Sequence, residues 1–184
     1  MSNFDPTCPT GCSDVAFEAD FNAWAPEVNA GQIKRIYICN VGHPLTDWSN
    51  AAEWLARISN TSHNVDAIRE LVVVGSKAAP EINELEISDK RTVVIDESHT
   101  IPFRIDETNN TNYDEIVRKS KCNTTYQAWF ATDTKIYGGN DGIMLKSLRV
   151  HDIIPESYKE LQTFTGELKW DGKFPPERIN NPLT

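Results

Sequence analysis

The chain has no apolar run longer than Leu71-Val72-Val73-Val74, far short of the roughly 20 residues a bilayer-spanning helix needs. Its first residues lack a basic n-region followed by an apolar h-region, so no secretory signal and no membrane partner are expected. Basic side chains are scarce: 18 Lys and Arg face 27 Asp and Glu among 184 residues, a net charge of −9. Phosphate neutralisation needs clustered Lys and Arg, so the balance argues against a general nucleic-acid-binding module. GxSxG, HExxH, P-loop, GxGxxG and CxxC signatures are all missing. The chain therefore reads as a non-enzyme without a cofactor.

Cysteine is also sparse. Cys8 and Cys12 stand four apart in CPTGC, while Cys39 and Cys122 are isolated. Without a secretory signal, four reduced thiols are the default. A zinc site at Cys8 and Cys12 would need two further ligands at a recognisable spacing, which His43, His63, His99 and His151 do not supply. No metal is expected.

What is present suits a folded domain: 39% of residues are hydrophobic and 24% charged. The charge is uneven. The first 33 residues hold five acids and no base, together with Pro6, Pro9 and Pro26 and the aromatics Phe4, Phe17, Phe21 and Trp24. An acidic, proline-bearing stretch reads as an extended arm. So many aromatics imply that the arm packs on its own domain or on a neighbouring subunit. The organisation expected is an N-terminal arm over 1–30, a β-domain over 31–172 and a C-terminal arm over 173–184, the last carrying Pro175, Pro176 and Pro182.

Within the domain, 32–40 (QIKRIYICN) is a strand by its β-branched and aromatic content. Asn50 with Glu53 marks a helix start, with Ala51, Trp54, Leu55 and Ile58 on one face. The continuous run 68–75 reads as a buried strand, and 81–87 alternates with one slip of register. Strands are expected over 91–96 and 100–106 around a polar Glu97-Ser98-His99, with Pro102 demoting the second to an edge or a bulge. Asn112 and Glu115 have capping-box spacing for a short helix in which Tyr113, Ile116 and Val117 share a side. Further strands follow over 124–132, 135–137, 143–154 and 160–170. In the last, Phe164, Leu168 and Trp170 face one way and Thr163, Thr165, Glu167 and Lys169 the other. The fold class is mainly β: an antiparallel β-sandwich or open barrel with one or two short α-helices and extended terminal arms.

Possible sites each have a plainer reading. Gly138-Gly139-Asn140-Asp141-Gly142 could cradle a phosphate, but a hairpin turn fits its chemistry better. Asp96, Glu97 and His99 form an acid–base set, yet on a strand-to-strand turn they are expected to be solvated. Asp106 and Glu107 could bind a cation or simply end a strand. Asn60, Asn109 and Asn123 are sequons, relevant only in a secreted eukaryotic chain. Trp48 and Trp54 could form a ligand platform, but core packing fits their surroundings better.

The stretch SHTIPFRIDETNNTNYDEIVRKSKCNTTYQAWFATDTKIYGGNDGI followed by LQTFTGELKW resembles the core of bacteriophage tail tube and related virion ring proteins. In both, a strand leads into a short helix, a hairpin and strands that close a sandwich. The resemblance covers roughly residues 88–172 and leaves the helix around Trp54 outside it. It implies a homo-oligomeric ring, stacked on copies of itself, within a virion assembled in the host cytoplasm. Its partners would be itself and other virion proteins, with DNA only as passing cargo in a lumen whose acidic lining repels phosphate. Phe17, Phe21 and Trp24 would then make arm contacts, and Thr163, Thr165, Glu167 and Lys169 would face the lumen or a neighbour. Other virion rings (head–tail connector, tail terminator, capsid auxiliary), a carbohydrate- or peptide-binding β-sandwich and an enzyme of unrecognised type are the alternatives.

Overall fold

A computed structural model describes residues 31–60, 64–87, 91–122, 125–157 and 159–184. The expected N-terminal arm, with Phe17, Phe21, Trp24, Cys8 and Cys12, lies outside the described residues. Ten strands form one antiparallel sheet. β1 (Ile33–Asn40) is followed by helix α1 (Ala51–Ile58), β2 (Arg69–Gly75), β3 (Glu81–Ile87) and β4 (Arg91–Ile105). A helical turn α2 (Asn110–Asn112) continues through a π-helical turn (Tyr113–Arg118) into a 3-10 turn (Lys119–Lys121). Then come β5 (Tyr126–Ala131), β6 (Lys135–Tyr137), β7 (Ile143–Met144), β8 (Ser147–Ile153), β9 (Thr163–Asp171) and β10 (Arg178–Asn180). No helix among the described residues is long and apolar enough to cross a membrane.

The strand order is β10-β6-β5-β1-β2-β4-β9-β8. β2 and β4 share only the pairs Val74–Arg104 and Gly75–Phe103, so the sheet folds over at this seam. The two leaves enclose a core that includes Ile36, Ile38 and Phe130 from one and Phe103, Phe164 and Leu168 from the other. Ile116 and Val117 of the irregular helix 110–121 join the same core. A second core lies on the other face of β1 and β5, where Tyr37, Cys39 and Trp129 pack with Trp48 and Trp54. Because both faces of β1 are covered, its apolar residues run on instead of alternating.

α1 starts where the sequence marks it. Asn50 Oδ1 accepts the Ala52 N–H at 3.0 Å. Glu53 does not complete a capping box but accepts the N–H groups of Thr46 at 2.9 Å and Asp47 at 3.1 Å, which ties the preceding loop to the helix. Trp54 is fully buried and its indole donates to Trp48 O at 2.8 Å, so these tryptophans are core. Leu55, expected on the same face, is exposed.

Several expectations are corrected. The run 68–75 is not buried throughout: Leu71 and Val73 face the core, whereas Val72 and Val74 are exposed because this part of the outer face has no cover. The segments 91–96 and 100–106 are one continuous strand, and around Pro102 β4 has β9 on one flank and the end of β2 on the other, so that part is not an edge strand. Pro102 O accepts the Ser76 N–H at 3.3 Å, so its missing N–H falls on that same flank, just beyond the end of β2. The second helix is capped by Asn109, whose Oδ1 accepts the Asn112 N–H at 2.7 Å, rather than by Asn112. The segment 173–184 is more than an arm: β10 pairs with β6, Ile179 packs on the second core and Asn181 is buried.

Candidate functional site

Two surfaces among the described residues are candidates for a functional site. The first is the outer face of β4, β9 and β8. Phe164, Leu168 and Trp170 are buried as expected, and Thr163, Thr165, Glu167 and Lys169 lie on the opposite side. Register sets Thr100, Pro102 and Arg104 of β4 beside them on one flank. Ser147, Arg149, His151 and Ile153 of β8 stand on the other. Glu167 is engaged by Lys169 at 3.1 Å, and Arg104 by Asp106 at 2.6 Å. Across the three strands this face carries Arg104, Arg149 and Lys169 against Glu167 and Asp171, with Asp106 paired to Arg104 just past the end of β4. The face is of mixed charge rather than an acidic lining, and Arg149 is left on it without an ion pair among the described residues.

The second surface is one the sequence reading did not single out. The pairing of β9 with β4 stops at Ser98–Asp171. Glu97 O still accepts the Gly172 N–H at 2.9 Å, and from Asp96 to Arg91 β4 pairs only with β3 among the described residues, so the two strands leave the sheet as a ribbon. Seven residues of β3 at about 3.3 Å each give it a length of about 23 Å. Ile82, Leu85 and Ile95 on it are 55%, 53% and 57% exposed, which places large apolar side chains in solvent on a monomer. Glu81, Glu84 and Glu86 are exposed beside them. Register shifts between Asn83 and Glu84 because Ile95 is an extra residue in β4. The signal available in sequence was the slipped alternation of 81–87 with acids at nearly every other position.

The ribbon is anchored at its base. Ser98 Oγ donates to Asp171 at 2.7 Å and Lys146 Nζ to the other oxygen at 2.6 Å. The hydrogen bond from Lys146, then that from Ser98, hold the Asp171 carboxyl below its ordinary range. His99 is not on a solvated turn: it is buried, stacked on Trp170 with ring centroids 4.8 Å apart, with Nε2 3.1 Å from Gly172 O. Its Nδ1 is buried without a hydrogen-bond partner among the described residues. The Asp96, Glu97 and His99 set is thus part of the ribbon's root.

The glycine-rich loop is neither a phosphate cradle nor a hairpin turn. β6 and β7 both pair with β5 and lie end to end along it, so 138–142 bulges out between them. The bulge wraps Trp129, whose Nε1 donates to Gly139 O at 2.7 Å. Asn140 fixes the loop before α1 by accepting the Trp48 N–H at 2.9 Å and the Leu45 N–H at 2.8 Å. Asp106 and Glu107 are likewise engaged, by Arg104 and by Asn109 Nδ2 at 2.8 Å.

Among the described residues no group of three or more His, Cys, Asp or Glu side chains is placed to hold a metal ion. Cys39 is buried, which raises its thiol pKa, and Cys122 is exposed. A groove of about 350 Å³ lies between β1, β2 and the irregular helix, and Tyr126 is its one aromatic wall among the described residues. In comparisons with known proteins, the chain matches no family model, no curated protein and no solved structure.

Proposed function

We propose that the chain is a structural virion protein of the tail-tube kind, which self-assembles into stacked rings around a channel for DNA. The observation that carries this reading is the β3–β4 ribbon. A lone two-stranded ribbon is marginal in water, and this one exposes Ile82, Leu85 and Ile95 while both of its outer edges are unpaired among the described residues. Such a ribbon is stabilised when it lies on another surface, and an unpaired edge is a template for pairing with another chain. The acidic side chains of β3 complement Arg149 on the outer face of β4, β9 and β8, a cation without an ion pair among the described residues, so one copy offers both halves of a contact. Heterologous contacts of this kind close into rings or propagate as stacks.

The experiment is sedimentation velocity over a concentration series on the wild type and on Leu85→Lys. The wild type should form a discrete oligomer as concentration rises, and Leu85→Lys should remain at lower mass. Equal masses for the two at every concentration would remove the ribbon from the account.

A further inference from the structure

A second groove, of about 640 Å³, runs along the outer edge of β8 between that strand and residues 120–122, 125 and 126, and among the described residues no carboxylate lines it. Its basic walls are Lys121, Lys146, Arg149 and His151, an unusual concentration in a chain with a net charge of −9. Lys146 is satisfied by Asp171. Lys121 and Arg149 are not: Lys121 donates to His151 Nδ1 at 3.0 Å, and neither cation has an ion pair among the described residues. Glu167, directly across from Arg149, is taken by Lys169. Tyr126, Leu145 and Leu148 supply an apolar floor between the cations. Strand addition is interrupted at Val150, whose N–H is taken by the Ser120 hydroxyl (3.2 Å), itself donating to Val117 O (2.8 Å). The groove therefore selects side chains: carboxylates spaced with apolar groups.

Two segments of this chain have that composition: β3, which the ribbon holds in a strand, and a stretch of the N-terminal 30 residues that adds aromatic side chains. Asp14-Val15-Ala16-Phe17-Glu18-Ala19-Asp20-Phe21 carries three acids and two phenylalanines and no base. We infer that the groove beside β8 receives the acidic, Phe-bearing segment Asp14–Phe21 of a second copy of the chain. The inference rests on the assembly reading above and names its contact.

Geometry favours a second copy. Asn40 pairs with Tyr126, so β1 runs toward the groove and the chain preceding Ile33 enters at the far end of that strand. Eight residues of β1 separate the two ends by about 26 Å. To serve its own groove the chain would have to reverse direction and run back along β1; the ten residues from Phe21 to Gly31 span up to about 35 Å, so it is this reversal, not the reach, that a second copy avoids. Donor and acceptor at opposite ends of one strand make a head-to-tail contact, which repeats from copy to copy. A phosphodiester backbone would use the cations but not the apolar floor, and the overall charge opposes it.

Charge reversal in the full-length chain tests this. One variant carries Lys121→Glu and Arg149→Glu, both at exposed positions; the other carries Asp14→Lys, Glu18→Lys and Asp20→Lys. Light scattering at low salt should show each variant alone associating at least about tenfold more weakly than the wild type. An equimolar mixture of the two should regain the wild-type mass, because every contact is again between opposite charges. Wild-type assembly that both reversals leave unchanged overturns this inference alone, whereas a monomeric wild type overturns the assembly reading with it. Recovery only in a single chain carrying all five substitutions, and not in the mixture, would assign the groove to its own arm. A single-stranded DNA oligonucleotide that binds the wild type and is lost from the groove variant, with the mass unaffected, would assign the groove to nucleic acid.

Discussion

Gly142 lies against the indole of Trp129 so closely that a Cβ there would stand 2.8 Å from Cζ2, and one on Gly138 would come closer still to Cδ1. Both glycines have positive φ, 69° and 139°, so a side chain meets backbone strain as well as a clash. Gly142→Ala should therefore cost about 2–4 kcal/mol, and Trp129→Ala about 3–5 kcal/mol. Denaturant midpoints of the purified variants measure both losses. A cost below about 0.5 kcal/mol for Gly142→Ala would mean that the loop does not wrap the ring.

The phenol of Tyr37 is buried, which together with the charge of Glu70 pushes its pKa up to about 12. An unfolded tyrosine titrates near 10. Between about pH 10 and 12 the unfolded chain releases this proton and the folded chain keeps it, so this share of stability falls as pH rises through that window. Tyr37→Phe should flatten that part of the alkaline limb, read from urea midpoints between pH 9 and 12.

At the ribbon's root the sign is reversed. Asp171 titrates below its unfolded value because Lys146 and Ser98 bond the carboxylate. The stability it contributes is complete above an unfolded carboxyl pKa of about 3.9 and is lost as pH falls through the depressed folded value. Asp171→Asn should remove that acid-side dependence, seen in urea midpoints between pH 2 and 6. An unchanged profile would mean that the pair with Lys146 is not formed in solution.

Ile82→Lys and Leu85→Lys change exposed positions, so each should leave the denaturant midpoint within about 0.5 kcal/mol of the wild type. Association should nevertheless weaken. A large loss of stability would instead show that the ribbon folds back onto its own domain.

How well the sequence foretold this fold depends on how local each cause is. The Asn50 cap, the 135–137 strand and the alternation over 163–170 were legible because capping and pleat depend only on near neighbours. Failures came where a distant partner decides. Glu97-Ser98-His99 is polar enough to look like a turn, yet Trp170 and Gly172 bury His99 within a strand. GGNDG has turn chemistry, but Trp129, ten residues from Gly139, turns it into a cradle. The short 178–180 strand follows two prolines, and only the free edge of β6 makes it pair. On the candidate surfaces, the outward row of β9 was readable by parity. The mixed charge of that face is completed by Arg104 of β4 and Arg149 of β8, whose register no local pattern states.

The central claim is that this chain assembles with copies of itself through the ribbon and the outer face of β4, β9 and β8. Its most direct test is light scattering with negative-stain electron microscopy on the full-length protein across a concentration series. The account predicts discrete rings that stack into tubes as concentration rises, with a mass that is a whole-number multiple of 20.8 kDa. A single 20.8 kDa species at every concentration, with no ring in any field, would contradict it.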